Sequence, residues 1–110
     1  MHIQKQESFM KNGYKILWTD FALNELEKTF KYLEENWTEK ELHNLAVKLE
    51  ETLELISQNP TLFQVSEIKK DIRRVVILSH NTLYYRLTNE QIEIISFFSN
   101  RQNPNKRKLK

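Results

Sequence analysis

The chain has no cysteine, one glycine and two prolines among its 110 residues, and each shortage removes a class of function. Without cysteine there is no disulfide framework, no thiolate metal site and no thiol nucleophile, a composition compatible with a reducing compartment. The single glycine, Gly13, cannot build a phosphate-cradling loop or the strained elbow that exposes a hydrolytic serine. Turns must be made by other residues, and asparagine enters the left-handed region at the lowest cost. The three histidines, His2, His43 and His80, share no ligand spacing and no supporting carboxylate cluster, so neither a metal nor a cofactor is expected. Long apolar runs are missing too. The longest, Val75 to Leu78, falls far short of the ~20 residues of a spanning helix. The opening MHIQKQESFMKNG lacks the continuous apolar region of a secretory signal, and Met10 is a second candidate start. A soluble, cytoplasmic, single-domain protein is expected, with 39% hydrophobic residues to fill one modest core.

What is present is a separation of charge beneath a net value of +2. Residues 20–56 carry ten acids and four bases, and residues 57–110 carry four acids and ten bases, giving −6 and +6. A bipolar chain can turn its basic part toward an anionic partner, nucleic acid or acidic peptide, while its helices stay solvated. The two halves can equally neutralise each other within the fold.

Hydrophobic spacing sets out the elements. Residues 1–13 are polar and without period, a flexible lead-in. Tyr14 to Trp18 reads as a short strand, and Thr19 or Asp20 as the N-cap of a helix whose stripe is Leu23, Leu26, Phe30, Leu33 and Trp37. Thr38-Glu39-Lys40-Glu41 is a capping box opening a second helix with the stripe Leu42, Leu45, Ala46, Leu49, Leu53 and Ile56. Asn59-Pro60 stops it, because proline disfavours helical geometry in the residue before it. So short a connection predicts an antiparallel helical hairpin. After a loop from Pro60 to Ile68 come three runs rich in Val, Ile, Tyr, Phe and Thr: Arg73 to Leu78, Thr82 to Leu87 and Gln91 to Phe98. His80-Asn81 and Asn89-Glu90 are the expected turns between them. Val75 to Leu78 is apolar on both parities, which predicts a central strand covered on both faces. In the next strand Leu83, Tyr85 and Leu87 should face the helices, with Thr82, Tyr84 and Arg86 on the other side. The expected fold is α+β: an N-terminal strand, a helical hairpin, then a three-strand antiparallel meander, with the helices on one face of the sheet. The domain spans residues 14–104, and residues 105–110 form a basic tail with four cations.

Residues able to carry chemistry collect in or beside the meander: Lys69, Lys70, Arg73, Arg74, His80, Tyr84, Tyr85, Arg86 and Arg101. Metal-free RNA cleavage needs such types, since a 2′-hydroxyl must lose a proton, a crowded phosphate needs fixed cations and a leaving oxygen must gain a proton. Binding without chemistry uses the same residues, cations for phosphates or carboxylates and exposed tyrosines for stacking. Tyr85 reads as core and His80 as a turn residue. Arg101, directly after an apolar strand, is placed at a sheet end and is the foremost candidate.

The order of several short pieces resembles the RelE/ParE toxins of type II toxin–antitoxin modules, also called plasmid stabilisation proteins. They are WTDFALNEL in the first helix, Tyr32-Leu33, Trp37, Asn59-Pro60, Ile72-Arg73-Arg74, Leu83-Tyr84-Tyr85-Arg86 and Asn100-Arg101-Gln102-Asn103-Pro104. The resemblance implies a toxin that arrests growth until an antitoxin segment folds over it. RelE-type ribonucleases, which cleave mRNA on the ribosome, carry two lysines, an arginine, and a later arginine and tyrosine at positions that fall here on Arg73, Val75, Thr82, Arg101 and Arg107. Only Arg101 matches in identity, and Arg73 keeps the charge. The Arg-Arg opening and the Tyr-Arg pair are similar to the ParE branch, whose members poison DNA gyrase without such a catalytic set. Three readings follow: a gyrase-binding toxin, a ribosome-dependent endoribonuclease, and an inactive relative kept as a binding module. Catalytic candidates under the second are Arg73, Arg101 and Tyr84; partner-binding candidates under the first are Arg73, Arg74, Arg86 and Arg101. An apolar surface with a basic rim suits an acidic amphipathic helix or an added β-strand from the antitoxin.

Overall fold

A computed structural model of the chain describes residues 13–67 and 69–99. Its elements follow the expected order: β1 (Lys15–Trp18), α1 (Asp20–Asn36), α2 (Glu39–Gln58), β2 (Arg73–Ile77), β3 (Asn81–Thr88) and β4 (Gln91–Ser99). The strands form one sheet in the order β1-β4-β3-β2, with β1 parallel to β4 and the other pairs antiparallel. Both helices pack on one face, so the class is α+β as expected. The lead-in before Gly13 and everything from Asn100 onward, Arg101 included, lie outside the described residues.

Each helix starts where a threonine hydroxyl satisfies an orphan amide. Thr19 Oγ1 accepts from Ala22 N–H at 3.1 Å, and Thr38 Oγ1 accepts from Glu41 N–H at 3.2 Å. Thr19 also joins the sheet, its N–H and its hydroxyl both donating to the Ile94 carbonyl at 3.1 and 2.9 Å. One residue thus ends β1, starts α1 and grips β4. In α2 the buried stripe is Leu45, Leu49, Leu53 and Ile56, as the spacing predicts. In α1 it is rotated from the expected line: Ala22, Leu26, Thr29 and Leu33 are buried, while Leu23 and Phe30 are half-buried at its margin. Trp37 is 45% exposed, because α1 ends at Asn36 and the chain leaves in extended geometry toward α2.

The sheet departs from the sequence-based expectation in its outer strand. β2 is an edge, not a central strand, and one face of it is open: Ile77 is buried but Val76 is 49% exposed. β1 takes the free flank of β4 in parallel, so the meander's first strand is left outermost. An apolar run on both parities reports only that water is disfavoured there, not which layer supplies the cover. Leu87 shares the helix-facing side with Ile92 in register, yet it lies near the sheet's end and stays exposed. The turn between β2 and β3 also shifts. Leu78 and Ser79 take the left-handed conformation at φ of 52° and 63°, whereas Asn81 is buried inside β3 with its amide reaching the Ile77 carbonyl. Asn89 does make the second turn, at φ 55°.

β4 carries the central irregularity. Its buried residues are Ile92 and Ile94, then Phe97 and Ser99, a change of parity produced by a bulge opposite Tyr84 and Tyr85. The extra residue re-aims the rest of the strand. Beside it, Glu25 of α1 accepts from the Ser96 hydroxyl and from the Phe97 N–H, both at 2.7 Å. Glu25→Ala is expected to cost about 2–3 kcal/mol, since a carboxylate acceptor of two donors is lost. Glu25→Gln, retaining one oxygen, should lose roughly half of that in urea denaturation; equal losses would assign the effect to packing. Ser79→Gly, freeing a left-handed position, should raise the thermal midpoint by roughly 3 °C.

Candidate functional site

The strand register divides the candidate residues between the two sheet faces. Arg73 opposes Tyr85 on the helix-covered side, and Arg74 opposes Tyr84 on the other. Arg73 is half-buried, and its Nη1 donates to the Phe63 carbonyl at 2.6 Å. Tyr85 is fully buried, and its hydroxyl donates to the Pro60 carbonyl at 2.8 Å. Together they clamp the segment leaving α2. Burial pushes the Tyr85 hydroxyl above its ordinary 10.0, against the opposing pull of the Arg73 charge and the Phe63 backbone. It therefore stays protonated at neutral pH and is no general base, which agrees with its reading as core.

On the open face, Arg86 is committed to acids. Its Nε bonds Glu93 at 3.1 Å, its Nη1 reaches Asp71 at 3.4 Å, and these partners, Glu93 first, raise its pKa further. Arg74 and Tyr84 are both half-buried there, with Ser96 on the far side of Tyr84. Lys69 and Lys70 are exposed in the turn before β2, and His80 is half-buried at the end of the next turn. Of the ten bases in residues 57–110, five precede Asn100 against four acids, so the described meander carries only +1. Most of the basic excess belongs to the tail. Arg101 cannot be set beside the others, since it is outside the described residues.

Among the described residues, two of the surface depressions border the sheet. One, about 370 Å³, lies between α1 and the end of β4, lined by Phe21, Asn24, Lys28 and Phe98 above Glu25 and Ser99. The other, about 450 Å³, runs along the edge of β2 and is lined by Leu62, Phe63, Gln64, Arg74, Val75 and Val76. The second was hidden within the stretch read as a plain loop. That stretch bridges β2: Val65 pairs with Arg73, Arg74 N–H donates to Gln64 O at 3.1 Å, and Ser66 N–H to Ile72 O at 2.6 Å. The apolar pattern Leu62, Phe63, Val65 was its one signal in the sequence. Among the described residues no group of three or more His, Cys, Asp or Glu side chains is placed to hold a metal, and no helix is long and apolar enough to cross a membrane.

These geometries separate structural cations from surface ones. Arg73→Ala is expected to destabilise the fold by about 2 kcal/mol, having removed a charged donor from a carbonyl. Arg86→Ala should leave the urea midpoint close to that of the parent, as ion pairs open to solvent contribute little; the same measurement on both variants compares the two. Tyr85→Phe should cost about 1 kcal/mol at neutral pH. The folded chain holds the Tyr85 proton more tightly than the unfolded one, so its contribution is intact below about pH 10 and declines as pH rises through that value. The phenylalanine variant should therefore show a shallower alkaline loss of stability.

The comparisons agree with this architecture. The family model described as ParE toxin of type II toxin-antitoxin system, parDE, matches residues 16–104. No curated protein sequence matches. Among solved structures, the chain is similar to one described as a chromosomal ParDE TA system from P. aeruginosa, at 14% identity and a TM-score of 0.63, over 76% of this chain and 92% of that one. At that identity the likeness speaks for the fold alone, while the family match spans β1 through the end of the meander. The chain belongs to the ParE toxin family of type II toxin–antitoxin systems.

Proposed function

We propose that the chain arrests growth by binding DNA gyrase, and that a cognate antitoxin holds it inactive until the antitoxin is lost. The observation that carries the toxin reading is the family match over residues 16–104. Binding rather than RNA cleavage is supported by what Arg73, one of the catalytic candidates, and two neighbouring residues able to carry chemistry already do. Arg73 holds a loop carbonyl, Arg86 is paired with two carboxylates, and Tyr85 is buried and protonated. A phosphate-stabilising site needs cations aimed at the developing charge and a base poised near neutrality, and these side chains are spent on the scaffold. Arg74, Tyr84 and Arg101 are the residues assigned to partner contact, and the target places the protein in the cytoplasm.

The test is induction of the chain alone in a bacterial host, followed by viable count, DNA-damage signalling and the rate of protein synthesis. Gyrase binding predicts loss of viability with early DNA-damage signalling and inhibited supercoiling by purified gyrase. An immediate halt in protein synthesis with cut mRNA would replace this reading by the ribonuclease. Survival with folded, abundant protein would leave the binding module without toxicity. Arg74→Ala combined with Arg101→Ala is expected to restore at least about tenfold in viable count, with the thermal midpoint within roughly 3 °C of the parent.

A further inference from the structure

Two buried polar atoms at one end of the sheet lack partners. Asn81 and Ser99 face each other in register across β3 and β4, only 3% and 9% exposed. Asn81 Nδ2 donates to the Ile77 carbonyl, but Asn81 Oδ1 and Ser99 Oγ have no hydrogen-bond partner among the described residues. Buried polar atoms are nearly always paired, because an unpaired one has given up its hydration without replacement. Two of them side by side mark a place suited to donors that arrive from outside.

Ser99 lines the depression of about 370 Å³ between α1 and the end of β4, together with the rings of Phe21 and Phe98 and the carboxylate of Glu25. Phe21 is 64% exposed, an aromatic face turned to water at the start of α1. Glu25 is fixed in place, and both of its bonds, from the Ser96 hydroxyl and the Phe97 N–H, fall on Oε1. The stretch from Asp20 to Lys28 holds the acids Asp20, Glu25 and Glu27 against Lys28, a local balance of −2. The depression thus combines aromatic faces, oxygen acceptors and a negative surround.

Those three features together select a planar cation. A guanidinium stacks on an aromatic ring, carries five donors in a fixed plane and is weakly hydrated, whereas an ammonium holds its water and does not stack. We propose that the depression receives an arginine side chain of the toxin's target, stacked on Phe21 and donating to Glu25 and Ser99. This rests on the gyrase reading above and names one contact of that complex. The target is chosen over the antitoxin on grounds of charge. The cations of the meander suit an acidic antitoxin, while an enzyme that handles DNA presents arginines toward phosphate.

The test uses the full chain with purified gyrase and, separately, with the product of the adjacent gene. Phe21→Ala removes an exposed ring and should weaken gyrase binding at least about tenfold, with antitoxin binding changed less than about threefold. Ser99→Ala removes a hydroxyl unpaired among the described residues, so the thermal midpoint should hold or rise while gyrase binding falls at least about threefold. A residue that only supports the fold would not give that split. A small probe separates arginine from other donors. N-acetyl-arginine amide at millimolar concentration should shift the Phe21 and Ser99 amide resonances of the isotopically labelled chain, and N-acetyl-lysine amide should shift them less than about a third as far. Equal shifts by the two probes, or none, would overturn the arginine seat. Full gyrase affinity in a folded Phe21→Ala chain would overturn the seat and leave the gyrase reading standing. A loss confined to the antitoxin complex would assign the depression to that partner and overturn the proposal equally. No gyrase binding by the parent chain at micromolar concentration would overturn both the seat and the gyrase reading on which it rests.

Discussion

Everything in this small domain is referred to β4, and β4 is held by α1 through hydrogen bonds that only their packing brings together. The Ile94 carbonyl takes two donors from Thr19 at the start of the helix. Less than one turn beyond Ala22, Glu25 takes the Ser96 hydroxyl and the Phe97 N–H at the bulge. Backbone groups away from water must be paired, and a bulge disturbs the ladder that would pair them. A carboxylate from the covering helix resolves that conflict. Because the bulge also changes which residues face inward, Ile92, Ile94 and Phe97 all reach the core, which a regular strand would not allow.

The other end of the sheet is organised by the exit from α2. Tyr85 and Arg73, neighbours across β3 and β2, hold the carbonyls of Pro60 and Phe63. Those two bonds decide the path of the following loop, and that path decides how much of the β2 edge is covered. Removing Arg73 therefore releases the loop as well as a charge. Arg86 is different, lying half-buried on the open face and already matched by Glu93 and Asp71.

Much of the fold was legible. Both threonine caps, the α2 stripe, the helix stop before Pro60, the three meander strands and the turn at Asn89 are local signals, and local hydrogen bonding or periodicity enforces each. The candidate site was legible only as a list. Arginine, tyrosine and lysine types were visible, but the duties of the arginines were not, because a guanidinium that holds a loop carbonyl and one that pairs with carboxylates look alike in sequence. Glu25 gave a faint signal as a carboxylate adjoining the buried α1 residues Ala22, Leu26 and Thr29.

By itself, the sequence determined the elements, their order and the absence of thiol, glycine-loop and long apolar devices, since these depend on residue type and short-range spacing. Its ordered motifs were also enough to mark the family. Only the tertiary structure decided that β2 is an edge, that the β4 bulge reverses the inward parity, and that Arg73 serves the scaffold. Each of those depends on partners distant along the chain: β1 claiming the flank of β4, Glu25 meeting Phe97, and the loop after α2 pairing along the edge of β2. Such meetings are settled by which buried donors and acceptors find one another in space, a condition that no local pattern encodes.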